Sequence, residues 1–476
     1  MSDTLERQHF YIDGSWVSPS DPAGTIEVSN AADGSLLATI PAGGPADVDA
    51  AVSAARSAFP EWARTSPAER ASFLRALRDA LADRQETIAW MVALEVGTPL
   101  NIAQRIQAGL PLMVLGTTAD HLESFEWEST IANSTVVREP IGVIGAISPW
   151  NYPLHQLVAK VAGALAAGCT VVAKPSSVAP LSAFVLAEAT EIAGLPPGVF
   201  NLVTGSGSVV GEALAGHPGI DALSFTGSTE VGSRVASLGA ANITKVSLEL
   251  GGKSANVILD DADFGRAVKT GVGNAFLNSG QTCSAWTRML VPAAHHDEIV
   301  DLAVAASERL VVGHPLEEGT RLGPLSSAQQ QRIVRDYIEV GQHEGADLVV
   351  GGTEMPDGLN SGYFITPTIF ANVDSRARVA QEEIFGPVLS IIPFESDDHA
   401  VEIANDSEYG LAGGVWSADE ERAMSVARRM RTGQVDINGG AFNPAAPFGG
   451  YKKSGIGREL GPFGIEEFLE VKSIQR

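Results

Sequence analysis

The chain has 476 residues, which corresponds to about two to four domains. It carries 57 Asp and Glu residues against 32 Lys and Arg residues, so its formal net charge is −25. A charge of this sign repels nucleic-acid phosphates and anionic membrane surfaces, and neither is predicted as a partner. Hydrophobic residues make up 45% of the chain and charged residues 19%, a balance that favours a folded globular protein.

The chain has two cysteines, too few for a disulfide framework at this length. They favour a reducing compartment and make each thiol a candidate for chemistry. The N-terminal segment MSDTLERQHFYIDG lacks the apolar core of a signal peptide. A long charge-free stretch, residues 141–159, contains Pro149, Asn151 and His155, which a membrane span would have to bury. We therefore expect a soluble, cytoplasmic protein.

The first part of the chain predicts a hairpin followed by helices. Residues 10–17 place apolar side chains on both sides of an Asp-Gly pair, a strong type I′ turn signal. Apolar residues recur at helical spacing over residues 45–59. The sequence SPAE at residues 66–69 fits a capping box with proline at the first helical position. The helix that it opens is expected to run past Asp83.

From residue 141 onward, short apolar strands alternate with helices. GVIGAISP, CTVVAKPS, VFNLVTG and ALSFTGS are typical of strands, and the helices between them are expected to end at Gly168 and Gly194. This alternation indicates βαβ units and a parallel sheet, whose ligands bind at the carboxyl ends of the strands. A second α/β region covers residues 254–438, with predicted strands SANVILD, RMLVP and VDIN.

Two distant segments are rich in β-forming residues but lie outside these units. They are residues 122–139 and the C-terminal EEFLEVKSIQR. We expect them to pair into a small separate sheet that contacts another copy of the chain.

Two glycine-rich loops follow predicted strands. Gly205-Ser206-Gly207 is one residue out of register with GxGxxG, and residues 227–232 read GSTEVG. Each could present backbone N–H groups and a helix N-terminus to a phosphate, or be an ordinary turn between a strand and a helix.

The two cysteines lie in different surroundings. Cys283 stands in NSGQTCS, among small polar residues, where a thiol is either a nucleophile or a structural residue. Cys169 lies between an alanine-rich helix and a valine strand, and it is predicted to be a buried packing residue.

Several residues stand at or near the ends of predicted strands, and the sequence allows two interpretations of each. Glu249, between two leucines, is a buried base or a solvent-facing residue. Asn151, between two prolines, is an oxyanion donor or a turn asparagine. Lys174 is either a residue that binds a ribose or a phosphate, or a solvated lysine at the end of a strand. Glu383 and Phe385 either hold a nucleotide, or Glu383 belongs to an acidic loop that covers Phe385 as a core residue.

In chain order, seven blocks resemble the signature segments of the NAD(P)-dependent aldehyde dehydrogenase family. They are PWNYP, AKPSS, FTGSTEVG, LELGGKS, GQTCSAWTR, EEIFGPV and PFGGYKKSGIGRELG. The resemblance extends from Tyr11 to the EVKSI tail. It implies an α/β fold with a Rossmann-like cofactor domain, an α/β catalytic domain and a small β bridging sheet.

The resemblance also implies roles for individual residues. Cys283 would be the nucleophile, Asn151 the oxyanion donor and Glu249 the base, with Glu459 supporting the base. The residues implied to bind NAD, with NADP possible, are Trp150, Lys174, Ser177, Gly207, Gly227, Ser228, Gly232, Leu250, Glu383 and Phe385. Those implied to form the substrate pocket are Tyr152, Gln156, Ala159, Thr282, Ser284, Phe442 and Phe448. No metal is implied.

The implied domains follow the same pattern. Residues 1–121 and 140–252 would form the cofactor-binding domain, and residues 253–452 the catalytic domain. Residues 122–139 and 453–476 would form the oligomerisation segments of a homodimer or homotetramer.

Two departures from the family pattern bear on specificity. Members that prefer NAD commonly have a glutamate where this chain has Ser177, and serine does not repel a 2′-phosphate. NADP is therefore expected to be tolerated. Members that act on succinate semialdehyde typically have an arginine where this chain has Ala159, so a distal carboxylate would lose a bidentate partner. We expect a medium-chain aliphatic or an aromatic aldehyde.

Three other functions fit these residues less well. A CoA-acylating semialdehyde dehydrogenase generally lacks the base at Glu249. A non-catalytic structural protein on the same fold needs none of the three catalytic residues. A thiol esterase would use Cys283 without a nucleotide, which leaves the two glycine loops without a role.

Overall fold

The computed structural model describes residues 5–20 and 24–476. Within these ranges the strands form two large sheets and two sheets of three strands. No helix of the described ranges combines the length and the apolarity that crossing a bilayer requires.

The first sheet has eight strands, five of which are parallel neighbours at its centre. In spatial order the strands are Gly455–Ile456, Lys245–Glu249, Ala222–Thr226, Val143–Ile147, Thr170–Lys174, Phe200–Leu202, Phe10–Ile12 and Ser15–Val17. The antiparallel strands at the two edges include the predicted hairpin. The predicted parallel sheet is present.

The strand order of the first sheet reverses between Val143–Ile147 and Ala222–Thr226. From Val143–Ile147 the chain moves outward through two strands on one side, and it returns with Ala222–Thr226 on the other side. Such a reversal opens a crevice at the carboxyl ends of the two strands, where ligands of open α/β sheets bind. The loops that begin at this crevice carry Asn151 and Gly227.

The second sheet has seven strands, and all neighbours but one edge pair are parallel. In spatial order they are Asp347–Val350, Thr368–Ala371, Val388–Phe394, Arg288–Pro292, Ala255–Ile258, Gly413–Trp416 and Asp436–Ile437. This is the second α/β region that the sequence predicted.

The remaining strands form two small sheets. One joins Leu5–Glu6, Leu36–Pro41 and Thr25–Ser29. The other, here called the tail sheet, joins Leu469–Gln475, Ser134–Pro140 and Glu128–Ile131. The C-terminal segment therefore pairs with the 122–139 region as expected, while the short strand before it adds to the first sheet. The domain boundaries themselves stay a prediction.

Helices connect the strands of the large sheets and pack against them. The α-helices are Pro45–Trp62, Pro67–Ala82, Gln85–Glu95, Leu100–Ile102, Gly109–His121, Pro153–Ala167, Leu181–Ile192, Glu212–Ala215, Thr229–Ala240, Phe264–Ala275, His296–Ser307, Ala328–His343, Arg378–Gln381, Asp397–Asn405, Glu420–Arg429 and Gly461–Glu466. The π-helical turns are Ala103–Ala108 and Gly207–Gly211, and the 3₁₀ turns are Leu277–Gly280, Ala293–His295 and Lys452–Ser454.

The predicted capping box is present. Ser66 Oγ accepts from the Glu69 N–H at 3.2 Å, and the Ser66 N–H donates to the Glu69 carboxylate at 2.7 Å. The helix does not run past Asp83, because the Arg84 N–H turns back to the carbonyl of Leu81 and the next helix begins at Gln85.

Helix Pro153–Ala167 lies at the centre of the molecule, and every one of its residues is buried. A helix that is apolar nearly all round belongs in a core, and this one ends as predicted at Gly168 in the left-handed conformation. The few polar side chains that it carries, among them Gln156 and Lys160, are therefore held inside the protein and not in solvent.

Candidate active site

Cys283 lines two separate cavities. The apolar cavity, about 310 Å³ in volume, is lined mostly by aliphatic and aromatic side chains. The crevice cavity, about 260 Å³ in volume, lies at the carboxyl ends of the first sheet. A partly exposed thiol at the boundary of two cavities can contact a ligand in each. The other cysteine, Cys169, is fully buried, as predicted.

A left-handed stretch of backbone sets the position of Cys283. Asn278, Ser279 and Gly280 all have φ between 53° and 73°. At Gly280 a side chain would collide with the carbonyl of Gly386, so only glycine fits there. Ser279 Oγ donates to the carbonyl of Gly323 at 2.8 Å, which helps to hold a conformation that is costly for a serine.

The Cys283 thiol is protonated in the ligand-free protein at neutral pH. Burial raises its pKa to about 12, and the carboxylates of Glu383 and Glu249 raise it as well. The thiolate is the nucleophilic form of a cysteine. Nucleophilic attack therefore requires a base or a nearby positive charge.

Asn151 is buried, with its side chain directed at the segment that leads to Cys283. Its Nδ2 donates to the carbonyl of Gln281 at 3.0 Å. A primary amide has two N–H donors, and the second has no acceptor among the described residues, so it can donate to a ligand oxygen. The buried position and the bond to Gln281 favour the oxyanion-donor reading over a simple turn residue.

Glu249 ends a central strand and is buried, so it is not the solvent-facing residue of the alternative reading. Neither carboxylate oxygen has a hydrogen-bond partner among the described residues. Burial raises its pKa well above the usual range; Glu459 also raises it, and Lys160 opposes this. A buried carboxyl group with a raised pKa can act as a base near neutral pH.

All seven side chains predicted for the substrate pocket line the apolar cavity. Tyr152 and Thr282 are joined through their hydroxyl oxygens at 2.7 Å, and the Phe442 and Phe448 rings meet edge to face at 6.2 Å. Ala159 is the small residue at this wall, and it leaves the cavity open there. Their contact with a substrate stays a prediction.

Six of the ten residues predicted to bind the cofactor line the crevice cavity. They are Trp150, Gly227, Ser228, Leu250, Glu383 and Phe385. The Trp150 and Phe385 rings meet edge to face at 5.4 Å. Phe385 is partly exposed and left-handed, with φ 58°, so it is a strained residue at a cavity wall and not the core phenylalanine of the alternative reading.

The GSTEVG loop opens helix Thr229–Ala240. Ser228 caps this helix by accepting from the Val231 N–H at 3.3 Å. A Cβ at Gly232 would overlap the Leu250 side chain, so glycine lets the helix approach the neighbouring strand end. The helix N-terminus therefore meets the crevice cavity, in the arrangement that suits a phosphate.

Glu383 lies at the edge of the crevice cavity. Its Oε1 accepts from the Gly252 N–H at 2.9 Å. Burial raises its pKa to about 7, against the lowering effect of the Gly252 N–H and Lys253. The carboxylate therefore lies at the wall of the crevice cavity, and its contact with a ribose stays a prediction.

The other four predicted cofactor residues lie outside the lining of this cavity. Lys174 is buried rather than solvated, and burial lowers its pKa to about 8. Ser177 Oγ donates to the carbonyl of Gly205 at 2.8 Å, which joins two loops at strand ends. At Gly207 a Cβ would meet open space. Gly232 acts through helix packing, as above.

One side of the site was not predicted from the sequence. Arg105, Ile106 and Met113 line the apolar cavity from the segment that follows helix Gln85–Glu95. On the same segment Gln107 is fully buried and donates to the backbone carbonyl of Asn151 at 2.8 Å. The residues of the π-helical turn Ala103–Ala108 show no clear apolar period, so their pattern does not indicate that the turn reaches the site.

Comparison with known proteins agrees with this geometry. The aldehyde dehydrogenase family model matches residues 16–474. A 3-succinoylsemialdehyde-pyridine dehydrogenase from a Pseudomonas species is 50% identical over 468 residues, which cover 98% of each chain.

Two solved structures resemble the whole chain. A cysteine-to-alanine variant of aldehyde dehydrogenase C from Pseudomonas syringae, complexed with NAD+ and octanal, is 47% identical with a TM-score of 0.97; the match covers 98% of this chain and 96% of that one. An aldehyde dehydrogenase from Mycobacterium tuberculosis, complexed with NAD+, is 43% identical with a TM-score of 0.97; the match covers 100% of this chain and 99% of that one.

The two-domain α/β architecture, with its crevice and thiol, is that of a dehydrogenase with a Rossmann-like cofactor domain. The chain belongs to the aldehyde dehydrogenase family, whose members oxidise aldehydes to carboxylic acids. The predicted family, fold class and enzyme class are confirmed. The predicted cofactor agrees with the NAD+ of the two solved structures.

Proposed function

We propose that this enzyme oxidises medium-chain aliphatic or aromatic aldehydes to carboxylic acids, with NAD+ as the hydride acceptor and Cys283 as the nucleophile. The observation that carries the proposal is that Cys283 lines both the apolar cavity and the crevice cavity. An aldehyde in one cavity and a dinucleotide in the other would meet at its sulfur. NAD+, when bound, supplies the acceptor for the hydride that leaves the substrate.

Cys283 and Glu249 divide the chemistry between them. The Cys283 thiol passes its proton to solvent water, and the sulfur attacks the aldehyde carbon and forms a thiohemiacetal anion. Loss of hydride converts this adduct to a thioester on Cys283. Glu249 then takes a proton from water, whose oxygen attacks the thioester carbon and releases the carboxylic acid and the free thiol. The raised pKa of Glu249 makes its carboxylate a stronger base than that of an exposed glutamate.

Asn151 stabilises the negative oxygen of the thiohemiacetal. Its free amide N–H and the backbone N–H of Cys283 act as the two donors of an oxyanion hole. The bond from Asn151 to Gln281 restrains the amide before the substrate arrives.

The residues of the crevice suit a dinucleotide. The N-terminus of helix Thr229–Ala240 would hold the pyrophosphate, with Ser228 at its cap. Lys174 and Glu383 would contact ribose hydroxyls, and Phe385 would pack against the nicotinamide. Ser177 carries no charge, so NADP is accepted beside NAD.

The apolar cavity supports the substrate class. Its walls are lined by side chains such as Leu110, Trp286 and Phe448, and Ala159 leaves room in the tunnel. Octanal in the Pseudomonas syringae structure is an aldehyde of the expected size. Short aldehydes would leave much of this apolar surface in contact with water.

The test is NADH formation with purified enzyme over a panel of aldehydes, with NAD+ and with NADP+, followed by identification of the product with and without CoA. We expect kcat/KM to peak at medium-chain or aromatic aldehydes, and the free acid to form in both cases. A product that requires CoA would instead establish the acylating alternative. Activity that peaks at acetaldehyde would contradict the substrate class.

The assembly and location belong to the same proposal. The tail sheet exposes Ile131 and Val471, which pairing with a second copy would cover. We propose a cytoplasmic homodimer or homotetramer built on residues 122–139 and 453–476. The scarcity of cysteine suits a compartment in which Cys283 stays reduced.

A further inference from the structure

Gln107 approaches Asn151 from a segment that contributes no catalytic group. Its Nε2 donates to the backbone carbonyl of Asn151 at 2.8 Å and to Thr98 Oγ1 at 3.3 Å. Gln107 is fully buried, and its own side-chain oxygen has no hydrogen-bond partner among the described residues. A buried amide that leaves one oxygen unpaired costs stability, so a compensating role for the other end of the side chain is expected.

The orientation of the Gln107 amide follows from its partners. A backbone carbonyl only accepts, so the atom facing the Asn151 carbonyl must be the Gln107 nitrogen. Asn278 Nδ2 donates to the same carbonyl at 3.0 Å, and Thr98 Oγ1 donates to Asn278 Oδ1 at 2.6 Å. The side chains of Gln107, Thr98 and Asn278 and the backbone carbonyl of Asn151 therefore form a closed ring of hydrogen bonds.

This set joins the two elements that would make the oxyanion hole. Asn151 stands in the loop after the first-sheet strand Val143–Ile147, and Asn278 stands in the left-handed stretch that leads to Cys283. Both donors of the hole, the Asn151 amide and the Cys283 N–H, depend on how these two loops lie against each other. Gln107 and Asn278 fix that relation by sharing one carbonyl oxygen.

The π-helical turn explains how Gln107 reaches this place. Arg105 and Ile106, which precede Gln107 in this turn, line the apolar cavity. Gln107 points into the protein and contacts Asn151. π-turns occur often at functional sites, because the wider turn changes the direction of single side chains. One turn of backbone thus contacts both the substrate cavity and the loop of the oxyanion donor.

We propose that Gln107 is a positioning residue of the oxyanion hole, which acts by holding the backbone of Asn151. The inference rests on the proposed function, since it assumes that Asn151 stabilises the negative oxygen. A small displacement of a catalytic group is enough to slow a reaction strongly.

The test uses Gln107→Glu, a substitution that keeps the size of the side chain. When ionised, the new carboxylate faces the Asn151 carbonyl with no donor, and we expect kcat to fall about ten-fold or more, with a smaller change in KM. When protonated, its O–H can donate to the same carbonyl. The ratio of variant to wild-type kcat should therefore rise as the pH is lowered, a recovery that Gln107→Leu cannot produce.

Gln331 provides a matched control. It is a buried glutamine whose Nε2 donates to the backbone carbonyl of Phe364 at 2.7 Å, away from the residues of the oxyanion hole. Gln331→Glu places the same charge against a carbonyl, and we expect it to lower the melting temperature without a pH-dependent change in relative kcat. The same pH-dependent recovery in both variants would overturn the proposal, because the effect would then be one of general stability.

Asn151→Ala separates this inference from the function on which it rests. If Asn151→Ala keeps wild-type kcat, the oxyanion role itself is wrong. If Asn151→Ala loses kcat while Gln107→Glu keeps it at every pH, only the role of Gln107 is wrong. If both roles are correct, the double variant Asn151→Ala with Gln107→Glu should have a kcat no lower than that of Asn151→Ala alone. The effects of substitutions at residues that act as a unit are not additive.

Discussion

Lys160 and Glu459 form a buried ion pair: the Lys160 ammonium group donates to Glu459 Oε1 at 2.5 Å, and to Thr226 Oγ1 at 2.6 Å. The Glu249 carboxyl group is affected by both members of the pair. Burial is the main cause of its raised pKa; Glu459 raises it further and Lys160 lowers it. The two charges of the ion pair therefore act in opposite directions on the pKa of the proposed base, in addition to the larger effect of burial.

Substitution of either partner should move the pH profile in opposite directions. Glu249 acts as a base when it is deprotonated, so activity rises with pH through its pKa. Lys160→Met removes the charge that lowers this pKa, and should move the acidic limb of kcat/KM to higher pH. Glu459→Gln removes a charge that raises the pKa of Glu249, and should move the acidic limb of kcat/KM to lower pH. Shifts in the same direction would show that the pair does not act on Glu249 through charge.

Lys160→Met should also destabilise the fold. The substitution leaves the Glu459 carboxylate buried without its partner, which typically costs about 3–5 kcal/mol. Denaturant unfolding would measure the loss. Lys160→Met combined with Glu459→Met removes both charges and should recover a large part of it, whereas equal losses in the single and double variants would contradict the pairing argument.

The sequence predicted this region unevenly. The ends of the first-sheet strands were predictable, because apolar runs and glycine loops mark them, and Glu249 and Asn151 stand at such ends. Lys160 was not assigned a partner, since Glu459 is distant in sequence and only the fold brings the two together. Gln107 was missed for a different reason: its segment is a π-helical turn, and its role depends on a backbone carbonyl that no side-chain pattern reveals.

The protonated state of Cys283 can be measured by alkylation. Because its pKa is raised to about 12, the thiolate fraction in the ligand-free enzyme should increase about ten-fold per pH unit between pH 7 and pH 10. The rate of iodoacetamide labelling should follow this fraction. Cys169→Ala, which removes the buried thiol, should leave the rate unchanged. A labelling rate that levels off below pH 8 would contradict the effect of burial on Cys283.

Replacement of Ser177 tests the basis of NADP acceptance. Ser177→Glu places a carboxylate near the expected position of a 2′-phosphate, and should lower kcat/KM with NADP+ about ten-fold or more by like-charge repulsion. The kcat/KM with NAD+ should change much less. Ser177→Ala removes the bond to the Gly205 carbonyl without adding charge, and separates the two effects. Negligible NADP+ activity in the wild type would refute the tolerance argument.

Enlarging Ala159 should shorten the preferred substrate. Ala159→Leu adds methyl groups to the wall of the apolar cavity, so kcat/KM should fall for octanal and stay nearly constant for propanal. A chain-length series measures the shift, and Ala159→Gly should leave the preference for long aldehydes in place. Equal losses for octanal and propanal would mean that the substitution distorts helix Pro153–Ala167 rather than the tunnel.

The tail sheet should hold the copies of the chain together. Strand register places Ile131 and Val471 on one face, where they are 65% and 67% exposed, and Ile474 on the other. Such apolar side chains on one face favour contact with another chain. Ile131→Asp combined with Val471→Asp should therefore reduce the mass measured by light scattering to that of a smaller assembly. Ile243 is 94% exposed and lies outside the tail sheet, so Ile243→Asp should leave the mass unchanged. A wild-type protein that is already monomeric would refute the interface.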